Sequence, residues 1–234
     1  MISIIIPVLN EEKTIGRLIA HLKKRSTGYL TEIIVADGGS TDRTMEIARE
    51  EGATILECKN KGRGVQMNEG AVVANGDILY FLHADTFPPD GYDQRIVEAY
   101  NNGYKSGCFQ LRFDDAHWTL KTYSWFTRFD TTWFRFGDQS LYVEKLLFDN
   151  VDGFDESLIV MEDQEIIRRL KKQTPFKVLA QYVITSSRKY KQNGYIKLQC
   201  LFALIWAGYY FGINQEVLTH FYKEMLADPS NQKI

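Results

Sequence analysis

At 234 residues the chain has room for one large α/β domain or two small ones. Its apolar fraction of 44% and charged fraction of 25% are those of an ordinary soluble globular protein. A formal net charge of −2 excludes whole-protein attraction to nucleic acid or to an anionic membrane. Cys58, Cys108 and Cys200 are odd in number, far apart and form no Cys-x-x-Cys pair. They point to reduced thiols in a cytoplasmic setting, not to a disulfide or zinc framework. The N-terminus runs straight into Ile2-Ser3-Ile4-Ile5-Ile6 without the pattern of a signal peptide.

Residues 2–8 read as a strand, with Pro7 near its end, where a missing N–H is tolerated. Ile15, Leu18, Ile19 and Leu22 recur at i, i+3, i+4 and i+7, so the spacing predicts an amphipathic helix over 12–25. A second apolar strand, 32–36, ends at Asp37-Gly38-Gly39-Ser40-Thr41-Asp42. Its glycines permit a sharp turn, and Ser40, Thr41 or Asp42 can cap the helix through Met45, Ile47 and Ala48. A short strand at 53–57 follows, then Lys61-Gly62-Arg63-Gly64 and a helix through Val65, Met67, Ala71 and Val72. The unbroken apolar run 78–82 suits a strand buried on both faces. Asp85 emerges just past it, at the kind of strand end where open α/β sheets bind ligands. A turn cap ahead of Pro88-Pro89 is the plainer alternative for that acid. Strands alternating with helices predict a mostly parallel sheet flanked by helices.

The second half continues with a helix over 94–101 and a strand over 106–113. Trp118, Tyr123, Trp125, Phe126, Phe129, Trp133, Phe134 and Phe136 then crowd one segment. The near-helical spacing of Trp118, Trp125, Phe129 and Trp133 turns some of them to a core and leaves the rest to a cleft or interface. A strand over 141–143, a short helix over 144–150 and the turn Asp152-Gly153-Phe154-Asp155 lead to a helix opening at Met161-Glu162-Asp163. Acids at a helix start suit its dipole, which by itself accounts for Glu162 and Asp163. Residues 198–213 are apolar and aromatic, but shorter than the ~20 residues of a spanning helix. With Arg188, Lys189, Lys191 and Lys197 upstream, two readings stand: a buried core or homodimer helix, or a helix lying on the inner face of a membrane.

Acids therefore follow three separate strands or turns: Asp37, Asp85 and the Glu162-Asp163 pair. Such a set can bind a nucleotide base, hold a metal–diphosphate and deprotonate an alcohol, as transfer from a nucleotide-activated donor requires. The ordered set Pro7-Val8-Leu9-Asn10-Glu11, Asp37-Gly38-Gly39-Ser40-Thr41-Asp42, Asp85, Asp152-Gly153-Phe154-Asp155 and Glu162-Asp163 resembles the inverting glycosyltransferases of family 2. The resemblance implies a GT-A type α/β fold over residues 1–190. Within it a Rossmann-like nucleotide-sugar-binding half spans 1–104 and an acceptor half 105–190, with a C-terminal helical extension at 191–234. It further implies that Pro7, Asn10 and Glu11 border the nucleoside, that Asp37 with Gly39 meets the base, and that Arg63 and Asn68 face the donor. Asp85 matches the last acid of the family's DxD motif and would hold Mn²⁺ or Mg²⁺ against the diphosphate, with His83 and Ala84 completing the motif. Asp163, beside Glu162, would be the general base, and Arg188 would bring positive charge to the diphosphate.

There is one departure. His83 stands where the motif's first acid belongs, a His-Ala-Asp form like that of some bacterial members. Imidazole is a poorer partner for Mn²⁺ than carboxylate, which loosens the implied metal dependence more than the implied transfer. Uridine is the family-weighted base, and the aromatic segment hints at a lipid or other hydrophobic acceptor. Two other functions fit the same residues: a non-catalytic sugar-nucleotide-binding module, and a nucleotidyltransferase. A dinucleotide oxidoreductase does not fit, because Asn10-Glu11-Glu12 replaces the glycine fingerprint after the first strand.

Overall fold

The computed structural model describes residues 1–135 and 137–226. β1 (Ile2–Val8) is buried along its whole length, as an interior strand covered on both faces must be. It runs parallel to β2 (Leu30–Asp37) on one side and β4 (Ile78–Phe81) on the other, and β3 (Thr54–Glu57) extends the sheet parallel to β2. Pro7 stands past the last β1–β4 pair, Ile5 with Phe81, where its missing N–H breaks no ladder bond on that side.

The crossovers are α1 (Ile15–Arg25), α2 (Thr44–Glu50) and α3 (Arg63–Val73). The stripe Ile15, Leu18, Ile19 and Leu22 of α1 is fully buried. The helix begins three residues after the expected start at 12. The Glu11 N–H is taken by Thr44 Oγ1 at 2.7 Å, and the Thr14 hydroxyl donates to the Glu11 carboxylate at 2.9 Å, so a capped turn occupies those positions.

Beyond β4 the sheet changes direction. β7 (Leu141–Glu144) pairs antiparallel with β4, and β6 (Ser106–Phe113) antiparallel with β7. β8 (Phe176–Thr185) then runs parallel to β6, and the two-residue β5 (Thr86–Phe87) closes the far edge. The full order is β3-β2-β1-β4-β7-β6-β8-β5. A mostly parallel sheet is therefore right for the first half, while the second half is mixed. Outside the sheet stand α4 (Tyr92–Asn101), α5 (Trp118–Phe126), α6 (Lys145–Asn150) and α7 (Glu162–Gln173), then α8 (Arg188–Asn193), α9 (Tyr195–Tyr210) and α10 (Gln215–Met225).

The aromatic segment corrects the expectation that helical spacing turns Trp118, Trp125, Phe129 or Trp133 to a core. All four are exposed, and Leu120 is the buried residue of α5. The helix stops at Phe126 because Thr127 turns inward, its hydroxyl accepting from the Leu111 N–H at 3.0 Å and donating to the Ser124 carbonyl at 2.7 Å. The α-helix does not continue to Phe129, and Trp133 stands in a separate 3₁₀ turn, Thr132–Phe134, so the spacing does not bring them inward. Trp125 instead packs on Phe126 and Phe129, and Trp133 on Trp206. Phe136, the Phe134 side chain and residues 227–234 of the expected C-terminal extension lie outside the described part.

α9 sinks Leu198, Leu201, Ile205 and Gly208 into the core and leaves Ile196, Leu204 and Tyr210 exposed. No helix among the described residues is long and apolar enough to cross a membrane.

Candidate active site

The C-terminal ends of β1, β2 and β4 open into a cavity of about 300 Å³, and the start of α7 closes it from the opposite side. Pro7, Glu11, Arg63, His83, Ala84, Asp85, Glu162, Asp163 and Arg188 all line it. Residues separated by as many as 181 positions thus share one wall, because each follows a strand end or opens a helix at the same sheet rim.

Asn10, Asp37, Gly39 and Asn68 lie outside that lining. Asp37 is buried, and its carboxylate accepts from the Gly39 and Ser40 N–H groups, each at 2.9 Å, and from the Ser40 hydroxyl. It shapes the loop whose Gly38 reaches the cavity. Asn10, at φ 54°, accepts from the Thr41 N–H at 2.7 Å and so ties the loop after β1 to the loop after β2. Asn68 donates to the Phe154 carbonyl at 2.9 Å and accepts from the Phe154 N–H at 2.8 Å. It staples α3 to the turn that precedes α7.

α7 begins under backbone strain. Met161 stands in the left-handed region at φ 71°, where a residue with a Cβ is disfavoured, and it lines the cavity. Glu162 follows at 2% exposure, its Oε1 3.5 Å from Arg63 Nε. Burial pushes the Glu162 carboxyl up to about 7, against the pull of Arg63 and with a further push from Asp163. Glu162 in turn holds the Arg63 guanidinium above its ordinary value.

The His-Ala-Asp turn is equally constrained. His83 Nδ1 lies 3.3 Å from Asp138 Oδ1. Burial works to lower the imidazole, but the Asp138 hydrogen bond and the Asp163 and Asp138 charges outweigh it, so His83 stands above its usual value. Burial first, and the Asp138 charge second, lift the Asp85 carboxyl. Among the described residues Asp85 makes no hydrogen bond or ion pair.

No group of three or more His, Cys, Asp or Glu among the described residues is arranged as a metal cage. A divalent cation that arrives with a diphosphate needs only one or two protein carboxylates, and a partly buried, unpartnered Asp85 fits that requirement. Sequence reasoning missed Lys61, Gln66 and Asp138 as cavity residues. Gln66 donates to the Val8 and Ala36 carbonyls at 2.9 and 2.7 Å, which binds the ends of β1 and β2 together. Lys189, in the basic run that the sequence offers to the diphosphate, lines the cavity beside Arg188.

Fold and rim together define the GT-A class. The profile described as glycosyl transferase family 2 matches residues 3–154, and the chain belongs to that family. Glucosyl-3-phosphoglycerate synthase of Mycolicibacterium smegmatis is 32% identical over 97 residues, covering 38% of this chain and 32% of that protein. Among solved structures, TarS of S. aureus in complex with UDP superposes with a TM-score of 0.67 at 18% identity, covering 79% of this chain and 60% of TarS. A mannosyltransferase from Pyrobaculum calidifontis in complex with GDP-Man and Mn²⁺ gives a TM-score of 0.71 at 14% identity, over 99% of this chain and 71% of that one. The chain spans about a third of the length of the curated relatives it matches.

Proposed function

We propose that the chain is an inverting glycosyltransferase that moves a sugar from a UDP-linked donor to an acceptor hydroxyl. One observation carries this reading: a carboxylate at a strand end, a carboxylate at a helix start and several cations share one cavity. Pro7, Glu11 and the loops tied by Asn10, Asp37 and Gly39 frame the nucleoside. Arg63, Arg188, Lys61 and Lys189 attract the diphosphate. Asp85, within the His83-Ala84-Asp85 turn, would hold a divalent cation against the phosphates. When bound, that cation neutralises charge on the leaving diphosphate.

Asp163 accepts the proton of the acceptor hydroxyl as its oxygen bonds to the anomeric carbon and the nucleoside diphosphate departs from the other face. Glu162, neutral below about pH 7 and fixed by Arg63, supports the start of α7 beside that base. Residues 1–104 form the nucleotide-sugar-binding half, and 105–190 form the acceptor and catalytic half, which also lends Arg188 and Lys189 to the diphosphate. Phe202, Ile205 and Tyr222 of the C-terminal extension wall the acceptor side with apolar surface, which suits an acceptor with an apolar portion.

Asp163→Asn should reduce transfer by about 10²–10⁴-fold and leave nucleotide affinity unchanged. Undiminished turnover removes Asp163 from the role of base. Product analysis separates the rival chemistry: release of nucleoside diphosphate supports glycosyl transfer, and release of pyrophosphate indicates a nucleotidyltransferase. A thermal-shift panel of nucleoside diphosphates with and without Mn²⁺ reads base and metal preference together, since stabilisation follows RT ln(1 + [L]/Kd).

A further inference from the structure

His83 occupies the place of an acid and leaves the local turn with one carboxylate, Asp85. The chain brings a second from 53 residues farther on. β7 pairs antiparallel with β4 in a register that sets Tyr142 opposite Tyr80 and Leu141 opposite Phe81. The residues just before β7 must therefore lie beside those just after β4. The 3₁₀ turn Gly137–Gln139 sits there, and its Asp138 lines the same cavity as Asp85.

The turn is anchored from below. Arg135 is fully buried and donates to the Thr127 carbonyl at 2.7 Å and to Gln139 Oε1 at 3.2 Å, and the Tyr80 hydroxyl donates to Ser140 Oγ at 3.1 Å. The imidazole of His83 meets Asp138 Oδ1 through Nδ1 at 3.3 Å, which holds one carboxylate oxygen and leaves the half-exposed carboxylate facing the cavity.

We propose that Asp138 is the second carboxylate for the divalent cation, replacing the acid that His83 displaced, and that His83 is the positioning residue that orients it. This rests on the reading that the donor diphosphate binds with a metal. A carboxylate oxygen also suits Mg²⁺ or Mn²⁺ better than an imidazole nitrogen already turned to an acid.

The test is Mn²⁺ titration by electron paramagnetic resonance with UDP present, alongside UDP affinity in EDTA. Asp138→Asn and Asp85→Asn should each weaken Mn²⁺ binding by about tenfold or more with UDP affinity in EDTA unchanged. His83→Asn should weaken it by about tenfold, as loss of an orienting partner does. Adding H83D to D138N, which puts an acid back into the turn, should restore Mn²⁺ affinity. If D138N binds Mn²⁺ as the wild type does while D85N has lost it, the assignment of Asp138 is overturned and the glycosyltransferase reading stands. If the wild type with UDP binds no Mn²⁺, the metal reading beneath both falls. Pulsed resonance on wild-type protein needs no variant: bound Mn²⁺ should show no directly coordinated nitrogen. A coordinated nitrogen would put His83 itself on the metal and overturn its positioning role.

Discussion

Glu162 shows how far a single side chain in this cavity departs from its behaviour in water. Its carboxyl stands near 7 in the folded chain, against an ordinary 4.5, because burial penalises the anion more than Arg63 relieves it. The folded state therefore holds this proton more tightly than the unfolded state. Below about pH 4.5 both are protonated and the contribution is fully present. As pH rises towards 7 the unfolded chain ionises first, and stability falls. The loss amounts to roughly 3 kcal/mol at 1.36 kcal/mol per unit. Glu162→Gln should flatten it: urea unfolding at pH 5 and pH 8 should show the wild type losing roughly 2 kcal/mol more than the variant across that interval. Equal slopes for the two proteins would remove Glu162 as the source. At this scale the sequence exposes some of the site and hides the rest. Asp85, Glu162 and Asp163 declare themselves because an acid ends an apolar strand or opens a helix. Asp138 and Gln66 do not, since their place in the cavity depends on pairing and packing across distant segments.

Elements whose burial is periodic were legible, and those held by tertiary partners were not. The α1 stripe and the fully buried β1 satisfy simple patterns, and both lie where periodicity puts them. β8 alternates irregularly between buried, partly buried and exposed positions, with a register shift against β6 between Phe109 and Gln110, so residues 176–185 show strand-forming residues such as Val183 and Ile184 without a period of two. The turn before α7 is also fixed from outside itself. Asn68 bonds both backbone groups of Phe154 and donates to the Glu156 carboxylate at 2.9 Å, while Arg169 of α7 donates to the Gly153 carbonyl at 2.7 Å. Phe154 then enters the ring cluster of Phe81 and Phe148. Asn68→Ala leaves two buried backbone groups without partners, at about 1–3 kcal/mol each. We expect chemical denaturation to show an unfolding free energy lowered by at least about 1–3 kcal/mol. The turnover number should fall several-fold more than nucleotide affinity, because the turn sets where α7 and Asp163 begin. Equal losses in both would mean that Asn68 contacts the donor.

The whole molecule joins a parallel half, built by crossovers, to a mixed half across the antiparallel β4–β7 seam, and the cavity lies beyond one end of that seam, where His83 meets Asp138. The family profile ends at residue 154, yet the cavity wall does not: Phe202 and Ile205 of α9 and Tyr222 of α10 line it as well. These helices pack closely, for a Cβ added at Gly208 would come within 2.7 Å of Leu218 Cδ2. A wall of this kind excludes water as well as shaping an acceptor site, and a glycosyl donor exposed to water can be hydrolysed in place of transferred. Tyr222→Leu keeps apolar volume in the core while removing part of that wall. Release of free sugar from the donor in the absence of acceptor should rise several-fold, and UDP affinity should stay within about twofold, because the nucleoside is framed from the β1 and β2 ends. An unchanged hydrolysis rate would mean that water is kept out by the acceptor itself, and that α9 and α10 stabilise the fold without guarding the chemistry.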